Sequence, residues 1–524
     1  MIKKYQVFLV LTFGLLLTRL FYLTLVLGDD FQQRAQENRI IKEKLVAPRG
    51  VIYDRRHQPL AENKPFYQQG NEEISREKYL QLKAGDSSAQ LFYRRYYPLA
   101  NGAVHLLGYL GQADEAEIKN EKNECQYYSG DWVGQSGVEK KYDCSLRGED
   151  GFRLLEVNID GEVSREVGRV KPQAGKDIVL SIDKAIQLKA AELLSGKKGA
   201  IIVAQPQTGR LLAIVSSPSF DPNIFTFERD EQKITHLLVD DNKPFLDRAI
   251  SARFPPGSIF KIVSGLAALE EKKITAETKI EDIGVLQIGK YQYSNWYFTQ
   301  YGKTEGSLNL VEAIKRSNDI FFYRLGGYLG EKGLVRWAKE FDLDKKSGID
   351  LPAELAGFIP TAAWKKRMTG QPWFLGNSYH LAIGQGDLAL TPLSVNVLTN
   401  VIANGGEICS PRVAKTINAF CHAINAKKEY IDLIKEGMRQ ACSKGGTAFP
   451  FFDFEIDGKK DQVACKTGTA EFDISQGKTH AWFSVFAPIE SPEISVTVFL
   501  EAGGEGSRDA APIAKEILQD FFTN

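Results

Sequence analysis

The chain has 524 residues and balances 66 Lys+Arg against 66 Asp+Glu, a formal net charge of zero. At roughly 150 residues per domain there is room for about three units and a sizeable core, and 25% charged with 43% hydrophobic residues is a globular composition that excludes wholesale disorder. Balanced charge without a long basic run excludes a nucleic-acid binder, and the absence of internal repeats excludes solenoids and propellers.

From Tyr5 to Leu27 the text YQVFLVLTFGLLLTRLFYLTLVL is interrupted only by Arg19. About 20 apolar residues span a bilayer. One arginine costs about 2.5–3.5 kcal/mol at the membrane centre, less than the surrounding Leu, Val and Phe return. Lys3 and Lys4 precede the span while Asp29 and Asp30 follow it, which predicts a cytoplasmic N-terminus and an extracytoplasmic body. A cleaved signal peptide is the competing reading. No A-x-A-like site follows Leu27, however, and the apolar stretch is too long. Residues 1–28 are therefore expected to form a cytoplasmic tip and a single-pass anchor in the cytoplasmic membrane.

Residues 29–47 are polar and are expected to continue as a stalk helix until Pro48-Arg49-Gly50 breaks it. Short strand-like and helical pieces without a catalytic pattern follow, so 29–177 reads as a non-catalytic α+β pedestal ending in the linker VKPQAGKD (170–177). Residues 178–524 form the remaining domain. Gly199 to Ser217 predicts a hairpin around PQTG, and VACKTGTAEF, HAWFSVFAP and EISVTVFLEA predict three more strands near the other end. Helical runs such as IFKIVSGLAALEE lie between, and APIAKEILQDFF closes the chain. Five mostly antiparallel strands split between the ends of a domain, with helices between, predict an α/β layered fold.

Six cysteines outside the membrane can oxidise. Cys125, Cys144, Cys409, Cys421, Cys442 and Cys465 allow 15 connectivities. Local pairing favours 125–144, 409–421 and 442–465, against an alternative of free, partly buried thiols. No C-x-x-C or H-x-x-x-H spacing supports a metal site, and neither a metal nor a cofactor is expected.

A serine nucleophile needs a base, and Ser-x-x-Lys supplies one from the same helix face. The pattern starts at Ser75, Ser181, Ser195, Ser258 and Ser475, and only Ser258 has a persuasive context, FPPGSIFKIVSGLAALE. There Pro255-Pro256-Gly257 ends an extended segment and an apolar helix is expected to begin at the serine. Its unpaired N–H groups and positive dipole end would face the reacting centre. An ordinary N-cap would explain Ser258 were there no partners. Ser317-Asn318-Asp319 and the single Lys466-Thr467-Gly468-Thr469 supply them, in the order that marks penicillin-binding proteins and class A β-lactamases.

With RGVIYDR (49–55), GQSGVEKKY (134–142), SPSFDPN (217–223), AIGQGDLALTPL (382–393) and HAWFSVFAP (480–488), the chain resembles a class B penicillin-binding protein over nearly its whole length. SNDIFFYRLG resembles the elongation branch, penicillin-binding protein 2, better than the division branch. The resemblance implies a penicillin-binding-protein/β-lactamase-like domain, a five-stranded sheet with flanking helices and a helical subdomain. It also implies a D,D-transpeptidase that cross-links peptidoglycan stem peptides, is acylated by β-lactams, and works with a SEDS-family glycosyltransferase and other elongation-complex membrane proteins. Asp319 departs from the general Asn of the middle motif, and the pedestal head, 64–95, is short.

The implied roles fall residue by residue. Ser258 is the nucleophile and Lys261 its base, Ser317 a proton relay, and Lys466 with Thr467 the holder of the substrate carboxylate. Asn318, Gly468 and Thr469 line the substrate, and the N–H groups of Ser258 and Thr469 form the oxyanion hole. Burial and Lys466 should lower the proton affinity of Lys261, whereas a nearby Asp319 would raise it. Asp319 is therefore expected to face Lys466 or be balanced by it.

A division-specific transpeptidase, a β-lactam sensor, a β-lactamase and a non-catalytic scaffold that activates a glycosyltransferase are the rival readings. Gly384-x-Gly386-x-x-Ala389 mimics a dinucleotide fingerprint but follows no clear strand. His480 is expected to be structural.

Overall fold

The computed structural model describes residues 2–31, 39–70, 72–84, 89–120, 125–158, 163–228, 230–473 and 477–523. The chain forms two compact units that interleave in sequence. One comprises Met1–Gly50, Pro65–Tyr93 and Cys144–Lys176; the other comprises Val51–Lys64, Arg94–Asp143 and Asp177–Asn524.

In the first unit an apolar helix, Ile2–Phe21, continues into a π-helical turn, Tyr22–Val26. The stretch Lys3–Val26 has a mean hydropathy of 2.0 and is unburied among the described residues, and its length and composition are enough to cross a membrane. The expected stalk helix is corrected in part: Ile40–Leu45 is a strand, and residues 32–38 lie outside the described residues. It pairs antiparallel with Gly151–Val157, which in turn pairs with Val163–Val170. Register explains the outcome. Glu43 lies opposite Arg153 and accepts its Nε–H at 2.6 Å, a cross-strand ion pair that a helix would not supply. The short head forms a strand, Glu72–Ile74, and a helix, Arg76–Ala84, with Tyr67 and Tyr79 in ring contact at 4.7 Å.

The second unit claims pieces that the sequence reading placed in the pedestal. Ile52–Tyr53 pairs in parallel with Ile178–Val179. Asp54 accepts the backbone N–H groups of Arg56, Gln58 and Lys184, so the RGVIYDR text serves a turn. Arg95 and Glu139 form an ion pair at 2.7 Å with both side chains almost wholly buried. Asn223 clasps the Tyr97 backbone through both ends of its amide, and Tyr142 donates to Asp350 at 2.6 Å. The ties of Tyr97 to Asn223 and of Tyr142 to Asp350 join Arg94–Asp143 to the body of the unit.

Five strands build its sheet: β1 (Gly199–Ala204), β2 (Leu211–Ser217), β3 (Ala464–Asp473), β4 (Lys478–Ala487) and β5 (Ile494–Leu500). Their order is β2-β1-β5-β4-β3, with every pairing antiparallel, so β3 is an edge strand. Every residue of β1 and β5 is buried, because helices cover both faces of the sheet. On one face lie α1 (Lys184–Leu193) and α7 (Ala511–Thr523). On the other lie α2 (Lys261–Glu270), α3 (Leu310–Arg316), α4 (Asp319–Glu340), α5 (Pro392–Ala403) and α6 (Lys428–Cys442). All twelve residues of α5 are buried, which makes it the central helix of that layer.

Cys409 is bonded to Cys421 and Cys442 to Cys465, while Cys125 and Cys144 are also disulfide-bonded. The second bridge fastens α6 to β3 one residue before Lys466.

Candidate active site

Ser258 lies in a 3-10 turn, Gly257–Phe260, and the α-helix proper starts at Lys261, three residues later than the sequence suggests. The turn is pinned from three sides. Phe254 exchanges both backbone hydrogen bonds with Leu390, Trp482 Nε1–H donates to Pro255 O at 2.9 Å, and Gly257 N–H donates to Gly384 O at 2.9 Å. The dinucleotide-like Gly384 thus holds the turn that carries Ser258. Gly257 has φ +55°, and a Cβ there would lie 2.9 Å from Thr469 O. Only glycine lets the turn come so close to the β3 edge. A Cβ on Gly468 would likewise meet Pro256 O at 3.0 Å. The backbone around Thr469 and that around Ser258 therefore sit side by side, as a two-N–H oxyanion hole requires.

Behind the turn is a buried pair of lysines. Lys261 Nζ donates to Ser317 O at 2.7 Å, to Ser317 Oγ at 3.4 Å and to Asp319 Oδ1 at 2.7 Å. Lys466 Nζ donates to Ser317 Oγ at 2.8 Å and to Thr467 O at 2.9 Å. The Ser317 hydroxyl thus stands between two ammonium groups, neither of which is exposed to solvent. Ser317 reaches this position at φ 54°, ψ 36°, the left-handed C-cap of α3, while Asn318 caps α4 by accepting Phe321 N–H at 2.9 Å.

Two expectations are corrected. Asp319 faces Lys261 rather than Lys466, because its backbone is fixed at the first residue of α4, directly across from the Lys261 ammonium. Asn318 does not line a substrate path: it is fully buried and gives its Nδ2–H to Glu305 at 2.9 Å. Lys466 also points inward, toward Ser317 Oγ and Thr467 O. Thr467 Oγ1 shares a hydrogen bond with Thr447 Oγ1 at 2.9 Å.

Burial is the largest influence on Lys261 and lowers its pKa, outweighing the opposing pull of Asp319 and of Glu305. Lys466 is held well below its ordinary value, first by burial and then by repulsion from Lys261. A lysine so placed gives up its proton more readily than a free one, as a base requires. His480 accepts Ala502 N–H on Nδ1 at 3.1 Å, and burial lowers its pKa to about 4, the state of a neutral structural histidine.

Asn295, Trp296, Glu305 and Thr447 touch the motif residues although no sequence pattern singles them out. Their only signal is polarity in otherwise irregular text.

Comparison with known proteins accords with this geometry. A family model for the penicillin binding protein transpeptidase domain matches residues 199–519, and one for the penicillin-binding protein dimerisation domain matches 71–180. The chain is similar to the peptidoglycan D,D-transpeptidase MrdA of Haemophilus influenzae, with 30% identity over 98% of this chain and 89% of that protein. It resembles the penicillin-binding protein PBP2 of Helicobacter pylori, solved in complex with MreC, with a TM-score of 0.79, 29% identity, and coverage of 92% of this chain and 99% of that one. A peptidoglycan synthase complex, solved for its coordination of polymerization and crosslinking, contains a chain with a TM-score of 0.79 and 29% identity, covering 100% of this chain and 98% of that one.

Proposed function

This chain belongs to the penicillin-binding protein transpeptidases, and on that premise we propose that it is a membrane-anchored peptidoglycan D,D-transpeptidase of cell elongation. The observation that carries the reading is the buried Lys261–Ser317–Lys466 relay, which begins one helical turn after Ser258.

The geometry supports a two-stage acyl transfer. Ser258 Oγ attacks the carbonyl carbon of the penultimate D-Ala of a stem peptide, and its proton passes to the neutral amine of Lys261. The developing oxyanion is met by the N–H groups of Ser258 and Thr469. The peptide C–N bond then breaks, and the departing amine of the terminal D-Ala takes a proton through the Ser317 hydroxyl. Thr467 meets the terminal carboxylate, while Lys466 keeps its Nζ on Ser317 Oγ at 2.8 Å and so orients the relay hydroxyl. An acceptor amine from a second stem peptide next attacks the Ser258 ester, forming the cross-link and returning the proton to the serine oxygen. A β-lactam acylates Ser258 by the same route, but its broken amide stays tethered to the adduct, which blocks the second stage.

Lys3 and Lys4 before the apolar helix, with oxidised cysteines in the body, support a cytoplasmic N-terminus and an extracytoplasmic catalytic unit. The resemblance to a PBP2–MreC complex and to a peptidoglycan synthase complex supports elongation-complex membrane partners, including a SEDS-type glycosyltransferase. The test is gel labelling of the full-length protein with fluorescent penicillin. Labelling is expected in the wild type and absent in Ser258→Ala, and labelling that survives the substitution refutes the site.

A further inference from the structure

The segment from Asp282 to Glu305 belongs to none of the three motifs, yet it grips one of them residue by residue. Trp296 Nε1–H donates to Arg316 O at 2.9 Å. Glu305 accepts from the Arg316 guanidinium through Oε1 and from Asn318 Nδ2 through Oε2, the latter at 2.9 Å. Asn295 Oδ1 accepts Asp319 N–H at 3.0 Å, and Trp296 N–H donates to Asp319 Oδ2 at 3.0 Å. The segment is itself cross-braced, since Asp282 Oδ2 accepts both Asn295 Nδ2–H and Glu305 N–H at 2.9 Å.

Asn295, Asp282 and the Glu305 side chain are all buried, so these are committed contacts rather than surface pairings. They matter because Ser317 holds a left-handed backbone that a residue with a Cβ rarely adopts and that persists only where its surroundings over-determine it. The C-cap of α3 supplies part of that restraint, with Ser317 N–H donating to Ile314 O at 3.1 Å and Asn318 N–H to Ala313 O at 3.0 Å, and the bracing segment holds the residues that follow. We propose that Glu305 and Asn295 are positioning residues of the transpeptidase site, fixing the Ser317–Asn318–Asp319 turn against Lys261. The inference rests on the transpeptidase reading and extends it to residues outside the motifs.

A purely structural brace and a positioning brace differ in what they do to Lys261. Charged or titratable groups face its ammonium from each neighbouring element: Asp319 from α4, Lys466 from β3 and Glu305 from the bracing segment. Arg316 of α3 neutralises one side of Glu305, and Tyr323 lies one turn along α4 near Asp319. The Glu305 carboxylate favours the charged form of Lys261. Glu305→Gln keeps the shape and the acceptor for Arg316, but it replaces the acceptor of Asn318 Nδ2 by an N–H donor and removes that charge, so the brace loosens and Lys261 should lose its proton at a lower pH.

The experiment measures the acylation rate constant of full-length, detergent-solubilised protein by fluorescent penicillin from pH 5 to 9, with the final labelled amount counting folded molecules and Ser258→Ala as the blank. Glu305→Gln is expected to lower the plateau rate about tenfold, less than the roughly 10²–10⁴-fold contributed by a whole acid–base group, and to move the acid limb to lower pH by about half a unit. Glu305→Asp, which keeps the charge but shortens the reach, should lower the plateau with the limb left in place. A Glu305→Gln limb that stays where the wild type has it overturns the inference, whether the plateau holds or the labelled amount falls. A wild type that takes no label overturns the transpeptidase reading instead.

Discussion

Replacing Asp319 by Asn removes one charge from the centre of the site while keeping an oxygen that can accept from Lys261. At 2.7 Å and an effective dielectric constant of about 20, the lost ion pair amounts to about 6 kcal/mol of gross Coulomb energy. Most of that is offset by desolvation and by the hydrogen bond that Asn retains. Hydrogen bonds to charged groups are worth a net of about 1.5–3 kcal/mol, which at 1.36 kcal/mol per pKa unit is about one to two units. Asp319 favours the protonated form of Lys261, so its neutralisation lowers the lysine pKa. The acid limb of penicillin acylation, which reports deprotonation of the base, is therefore expected to move down by about one to two units in Asp319→Asn. Stopped-flow acylation across the pH range, corrected for labelled protein, measures it. An unmoved limb would mean that Asp319 does not govern the base, and an upward shift would show that the sign of the electrostatic argument is wrong.

Removing the Cys442–Cys465 bridge as a paired Cys→Ala change opens a loop with a sequence separation of 23 and should cost about 3 kcal/mol, read as a lower thermal unfolding midpoint. Gly257→Ala must place a Cβ in a left-handed backbone, at a cost of about 1–2 kcal/mol, and 2.9 Å from Thr469 O. It should slow acylation more than tenfold with an unchanged far-ultraviolet circular dichroism spectrum, and wild-type acylation would sink the close-approach argument. Between pH 6.5 and about 4 the folded protein binds fewer protons at His480 than the unfolded chain does. The contribution of His480, about 3 kcal/mol, is thus complete above pH 6.5 and lost as pH falls toward 4. Denaturation curves of His480→Asn should show a shallower decline in stability over that window.

The parts of the fold with strong local signals were legible in the sequence. The PQTG hairpin, the apolar run after Ser258 and the three late strands all appear where periodicity and turn residues put them, because each is specified by neighbours within a few positions. Ile40–Leu45 escaped because its strand identity depends on Arg153, more than a hundred residues away. The sharing of Arg94–Asp143 with the catalytic unit escaped for the same reason, resting on side chains such as Asn223 and Asp350. In the site, the three motifs supplied Ser258, Lys261, Ser317 and Lys466. The partner of Asp319 could not be read from spacing, since it depends on how α4 starts relative to α2. Glu305 and Asn295 carry no motif and act only through the residues they hold.

The pairing of β1 with β5 also sets a timetable for biogenesis. Ala204 and Ser495 touch across 291 residues, so β1 waits for its second neighbour until nearly the whole domain is synthesised. At about 5–20 residues per second that interval is roughly 15–60 seconds. Throughout it, the wholly apolar GAIIVA segment has only β2 beside it, and its second edge stays open. A nascent chain of this design needs that edge shielded, or β5 delivered before another strand arrives.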